Sequence, residues 1–88
     1  MANGGREEIR EVIREYLLQE VLAGEDPSAL SDSTELVSSG ILDSISTARL
    51  VTFLENRFNV QFKASEVSGT HLNTIDLIVA TVESKSNE

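Results

Sequence analysis

The chain reads as an all-α domain, a small bundle of four helices with a long loop between the first and second and a short third helix. Three observations point there. Apolar residues recur at three- and four-residue steps in three separate segments, the spacing of a helix face. The one stretch that alternates as a strand would, Val60-Gln61-Phe62, is too short to build a sheet. Eighty-eight residues leave room for one domain with one small core, ordered over about 6–84.

The first helix is expected over residues 6–22. Ile9, Val12, Ile13, Tyr16, Leu17 and Val21 form its apolar face, and Arg6, Glu7, Glu8, Arg10, Glu11, Arg14 and Glu15 cover much of the other. Asn3 is a candidate cap, with Gly4 and Gly5 favouring fraying, and Gly24 and Pro27 end the helix. The loop from Ser28 to Gly40 is rich in Ser, Thr and Asp, with Leu30, Leu36 and Val37 set to pin it to the core. A second helix spans 44–58, capped by Asp43 and stopped by Asn59 in a left-handed conformation. Leu50, Val51, Leu54 and Phe58 make its stripe, which Ile45 and Ala48 extend toward the side. Val60 and Phe62 should turn inward from an extended link, followed by a short helical turn at 64–67. Asn73 is expected to cap a last helix, with Asp76 completing a capping-box-like pair. Ile75, Ile78, Val79 and Val82 form the buried stripe of that helix, and its tail should fray after Ser84.

Composition narrows the functional classes. There is no cysteine, hence no disulfide, no thiolate nucleophile and no cysteine-based metal site. One histidine and no tryptophan leave little material for a metal or cage site, and no metal ligand set is expected. Fifteen acids against seven bases give a net charge of -8, which disfavours nucleic acid and suits basic surfaces. No secretory leader and no membrane span are legible, so the expected location is the cytoplasm. Nothing resembles a catalytic triad. His71 reads as a surface or capping residue, and Ser44 has no basic neighbour in sequence.

The most informative stretch is Gly40-Ile41-Leu42-Asp43-Ser44-Ile45, which places a serine hydroxyl at a helix start. Alone, that serine reads as an ordinary helix-capping residue. In its context it resembles the attachment site of acyl carrier and peptidyl carrier proteins, and the helix order resembles theirs over roughly 6–84. The motif style is closest to discrete aminoacyl or D-alanyl carriers. The resemblance implies that Ser44 bears 4'-phosphopantetheine, transferred from coenzyme A by a phosphopantetheinyl transferase with Mg²⁺. It implies that the chain is a carrier rather than an enzyme. The arm thiol would hold an acyl or aminoacyl group as a thioester, loaded by an adenylating ligase or acyltransferase and passed to an acyl-accepting enzyme. Asp43 would cap the helix and contact the transferase. A fatty-acid or polyketide carrier is the alternative within the family, and an unmodified helical adaptor is the alternative outside it.

Around the serine, one of Ile41 and Leu42 should be core and the other outward, with Leu42 assigned outward. Leu42, Ile45, Ala48 and Arg49 are the candidate docking residues on a monomeric carrier. Ile45 and Ala48 could instead belong to the core. Arg49 stands where the family often has an acid, which speaks against ordinary fatty-acid partners; alternatively it pairs with the acidic loop. Phe53, off the main stripe, either seals the core edge or meets a partner.

Overall fold

The computed structural model describes residues 5–26, 28 and 30–86. The expected cap Asn3, with Gly4, and the helix-ending Pro27 lie outside them. Helix α1 spans Arg6–Tyr16, α2 Ser44–Phe58, α3 Gly69–Leu72 and α4 Ile75–Ser86. The apolar periodicity of α1 carries straight on into one wider, π-type turn at Leu17–Val21, closed by Leu22 N–H donating to Leu17 O at 2.7 Å. The first helix therefore continues nearly to the expected end, but with a changed register.

Helices α1 and α4 pack along each other, with α2 and the loop closing the core. Ile9, Ile13, Leu17, Leu50, Leu54, Ile75, Ile78, Val79 and Val82 are buried within it. Leu30 and Leu36 reach the same core from the loop, and Val37 packs against it. The loop is also tied by polar groups. Arg10 pairs with Asp32 at 3.1 Å and with Asp76 at 3.2 Å, bridging α1, loop and α4. Arg14 donates to Leu30 O.

Helix α2 ends as its sequence demands. Asn59 takes φ 57° and ψ 49°, the left-handed stop that asparagine tolerates. Val60 is then buried, and Phe62 packs half-buried against the core under the ammonium of Lys85. Phe58 is half-buried rather than fully core. Phe53 stacks on Tyr16 with ring centroids 4.3 Å apart, so it seals the α1–α2 edge.

The short helical turn expected at 64–67 is there as a 3₁₀ turn, Ala64–Glu66, and a separate short helix follows it. Other expectations near α3 and α4 need correction. His71 lies inside that helix, half-buried, instead of capping from the surface. Asn73 does not cap α4. Its side chain is spent on the loop, and Thr74 Oγ1 accepts Leu77 N–H at 3.1 Å in its place. Asp76 accordingly serves the ion pair with Arg10 rather than a capping box. Last, α4 is helical to Ser86, past Ser84, and Lys85 pairs with Glu66 at 2.6 Å across the end. No helix among the described residues is long and apolar enough to cross a membrane.

Candidate functional site

The turn before α2 is built by backbone geometry first. Gly40 has φ +88°, a region that side chains disfavour. A Cβ there would meet nothing within 4 Å, so the glycine serves the turn itself and not a close approach of neighbouring chain. The turn is closed by Gly40 N–H donating to Val37 O at 3.1 Å and Leu42 N–H donating to Leu36 O at 2.8 Å. Asn73 holds this turn from behind. Its Oδ1 accepts from the N–H groups of both Val37 and Ser38, each at 2.9 Å, and its carbonyl accepts from Leu36 at 2.6 Å. A capping asparagine was the only role its sequence context suggested. No local pattern reveals partners 35 and 36 residues away.

Asp43 then starts the helix. Its backbone is extended, and its carboxylate accepts Ser46 N–H at 2.8 Å. Hydrogen bonds from the Ser46 backbone and hydroxyl hold the Asp43 carboxyl below the usual carboxylate range, with a smaller contribution from Ile45 N–H. Ser44 is the first helical residue and is exposed. The first turn keeps N–H groups with no acceptor inside the helix, and the helix dipole adds partial positive charge there.

Two depressions flank Ser44. One, of about 440 Å³, is an open groove along α2 lined by Ser44, Ile45, Ala48, Arg49 and Thr52. The other, of about 230 Å³, lies toward Val67 and Ser68 and is lined also by Val37, Leu42, Asp43, Ser44 and Thr47. Thr47 is the buried polar residue of α2, and the sequence reading missed it because it sits between the apolar stripe and the exposed face.

The structure gathers Ile45, Ala48 and Arg49 with Ser44 on one exposed strip. Ile45 is 66% exposed, which excludes the core reading for it, and Ala48 is exposed too. Leu42 is the correction. It is only 3% exposed and belongs to the core cluster, while Ile41 is half-buried. The turn at Gly40 rotates Leu42 under the start of α2, so the outward assignment given to it belongs to neither member of the pair in full.

The comparisons with known proteins bear on this same stretch. The family model described as "Phosphopantetheine attachment site" matches residues 7–82. The chain belongs to that carrier-protein family. Its relatives include the D-alanyl carrier protein of Leuconostoc citreum (strain KM20), 37% identical over 79 residues, covering 90% of this chain and 92% of the relative. That of Leuconostoc mesenteroides subsp. mesenteroides is 38% identical over 77 residues, covering 88% and 95%. That of Streptococcus sanguinis (strain SK36) is 35% identical over 80 residues, covering 91% and 92%. The chain is therefore a non-catalytic carrier that bears covalent 4'-phosphopantetheine, presents an acyl or aminoacyl group as a thioester, and works with transferase and ligase partners.

The local geometry fits such a group. An exposed hydroxyl on the first helical turn gives access, and the free N–H groups there favour a phosphodiester anion. The grooves beside it are mainly apolar and suit an alkyl-amide arm. Asp43 opposes the anion by its charge, which its hydrogen bonds to Ser46 partly offset.

Proposed function

We propose that Ser44 is the attachment residue and that the cargo is D-alanine, activated and delivered by a separate adenylating ligase. The observation that carries the first part is the Ser44 hydroxyl itself, exposed at the first position of α2 with a groove on either side. Support for the second part comes from relatives named D-alanyl carrier protein that align over nearly their whole length.

A serine hydroxyl without a base is a weak nucleophile. The transferase must therefore supply the base and the Mg²⁺. In the transfer, the bond from Ser44 Oγ to phosphorus forms and the pyrophosphate P–O bond of coenzyme A breaks. Adenosine bisphosphate leaves, and the serine proton passes to the transferase. Asp43 keeps the helix start rigid during this exchange and offers its second oxygen to the transferase or its metal. Once attached, the arm supplies a terminal thiol that this cysteine-free chain otherwise lacks. Ile45, Ala48 and Arg49 form the docking strip, and Leu42 supports it from below. Tethering keeps the cargo at high effective concentration once a partner is docked. The reading places the carrier in the cytoplasm, where coenzyme A is at hand.

Intact mass after incubation with coenzyme A, Mg²⁺ and a broad-specificity transferase tests the attachment. One added phosphopantetheine, mapped to the Ser44 peptide, is expected. An unmodified chain, beside a reference carrier modified in the same tube, refutes it. Charging of the modified chain by a D-alanine-activating ligase, in competition with fatty acids and other amino acids, tests the cargo. Preferential charging with fatty acyl groups would return the chain to the fatty-acid reading.

A further inference from the structure

We propose that Arg49 is a specificity residue of the docking strip, and that the partner which docks there presents a carboxylate to Arg49 beside an apolar socket for Ile45. The inference rests on the carrier reading above and names the chemistry of the surface that meets it.

The argument begins with where the positive charges go. The chain has seven cations against fifteen acids. Arg6 pairs with Glu83, Arg57 with Glu8, and Lys85 with Glu66. Arg10 holds Asp32, Asp76 and Glu7. Arg14 donates to Leu30 O. Lys63 lies in the field of Glu66. The Arg49 side chain forms no ion pair or hydrogen bond with any carboxylate among the described residues and feels only the Tyr16 hydroxyl electrostatically, in a protein with about twice as many acids as bases.

Its position gives that isolation a meaning. Arg49 lines the same groove as Ser44, Ile45 and Ala48. The other charged side chains of α2 are already committed. Glu55 accepts Phe62 N–H at 2.9 Å, and Arg57 is paired with Glu8. The α2 side of the approach to Ser44 is thus apolar with one positive charge that no carboxylate pairs, and the Asp43 carboxylate stands at the helix start on the other side of Ser44. A basic docking surface would meet repulsion at that point. An acidic one would gain attraction there and be repelled by the remainder of the carrier. The contact would fix register, because only one alignment brings the partner's carboxylate to Arg49 and its socket to Ile45.

The probe is the ligase that charges the wild-type carrier, assayed with the modified carrier. Arg49→Glu is expected to lower kcat/KM for charging by roughly fivefold or more at low salt, mainly through KM, as reversal of a rim charge acts on association. Arg49→Gln should give a smaller loss in the same direction. Lys63→Glu, the same net charge change beyond the far end of α2, should stay within about twofold. Added salt should shrink the difference between wild type and Arg49→Glu. Replacing the matching ligase carboxylate with arginine should rescue Arg49→Glu and impair wild type. Thermal melts alongside exclude misfolding as the cause.

Equal or faster charging of Arg49→Glu overturns the proposal. So does a ³¹P shift of the attached arm in Arg49→Gln with charging unchanged, which would put Arg49 on the arm's own phosphate. So does loss of binding to anionic phospholipid vesicles with charging unchanged, which would make the strip a membrane contact. Failure of the wild-type carrier to charge with the arm in place would instead refute the ligase assignment, and the transferase, which must reach the same serine, then serves as the probe for the same variants.

Discussion

Truncating Leu42 and truncating Ile45 should have opposite consequences, although the two residues stand three apart around the same serine. Leu42 is 3% exposed in the core cluster. Leu→Ala at such a site costs about 2–5 kcal/mol through lost burial and the cavity left behind. Taking about 3 kcal/mol, and about 4–8 °C per kcal/mol for a domain of this size, Leu42→Ala should lower Tm by roughly 12–24 °C. Ile45 is 66% exposed, so about a third of its side chain is withdrawn from water. Full burial of such a side chain is worth about 1.5–3 kcal/mol, which leaves roughly 0.5–1 kcal/mol at stake in Ile45→Ala. The assay pairs thermal melts by circular dichroism with the initial rate of phosphopantetheine transfer, measured well below either Tm. Leu42→Ala should transfer at close to the wild-type rate once folded, whereas Ile45→Ala should melt within a few degrees of wild type and transfer more slowly. A Leu42→Ala variant that melts like wild type while transfer fails would refute the reasoning, because it would make Leu42 an outward contact.

Other substitutions address the helix start and the loop. Ser44→Ala should abolish the mass increase while leaving the helical circular-dichroism spectrum nearly intact, since Asp43 still accepts Ser46 N–H. Gly40→Ala should destabilise by about 1–2 kcal/mol, the cost of forcing a side chain to φ +88°, and denaturant titration will measure it. Asn73→Leu leaves two loop N–H groups unsatisfied and should cost about 1–3 kcal/mol in the same titration. Asp43 also predicts a pH effect. Its folded pKa lies below the unfolded value of about 3.9, so its contribution is present above that pH and is lost as pH falls through the lower folded value. Acid titration of wild type against Asp43→Asn should reveal the difference only above that window, the two converging at low pH.

The parts of this fold legible in the sequence are those decided by neighbours along the chain. The α2 cap at Asp43, the left-handed stop at Asn59 and the stripe from Leu50 to Leu54 depend on residues within a turn or two, and they stand where periodicity and capping chemistry put them. The α1 stripe was legible too, yet the wider turn after Tyr16 was not, because the same apolar spacing suits both registers. Readings failed where distant groups compete. Asn73 had a reasonable local use as a cap, but the loop's N–H groups claim its oxygen and Thr74 takes the capping position. The side chain of Leu42 could be placed only by knowing how Gly40 turns the chain, and a motif does not record rotation about its own axis. At the site, the serine, its cap and the exposed strip were all readable. The isolation of Arg49 was not, since it depends on which acids the other cations have already taken.

The hold that Asn73 keeps on the loop carries a consequence for how the carrier opens. Three consecutive amides, those of Leu36, Val37 and Ser38, end on one residue at the α3–α4 junction. Their exchange with solvent deuterium is therefore governed by separation of the loop from that junction, and not by loosening of the loop alone. They should exchange together, at the pace of α4's entry and far behind Ser31 or Ser33 in the same loop. A docked partner that pries the Gly40 turn away would release all three at once, so these amides would report strain arriving from Ser44 at a helix with which it shares no sequence neighbour.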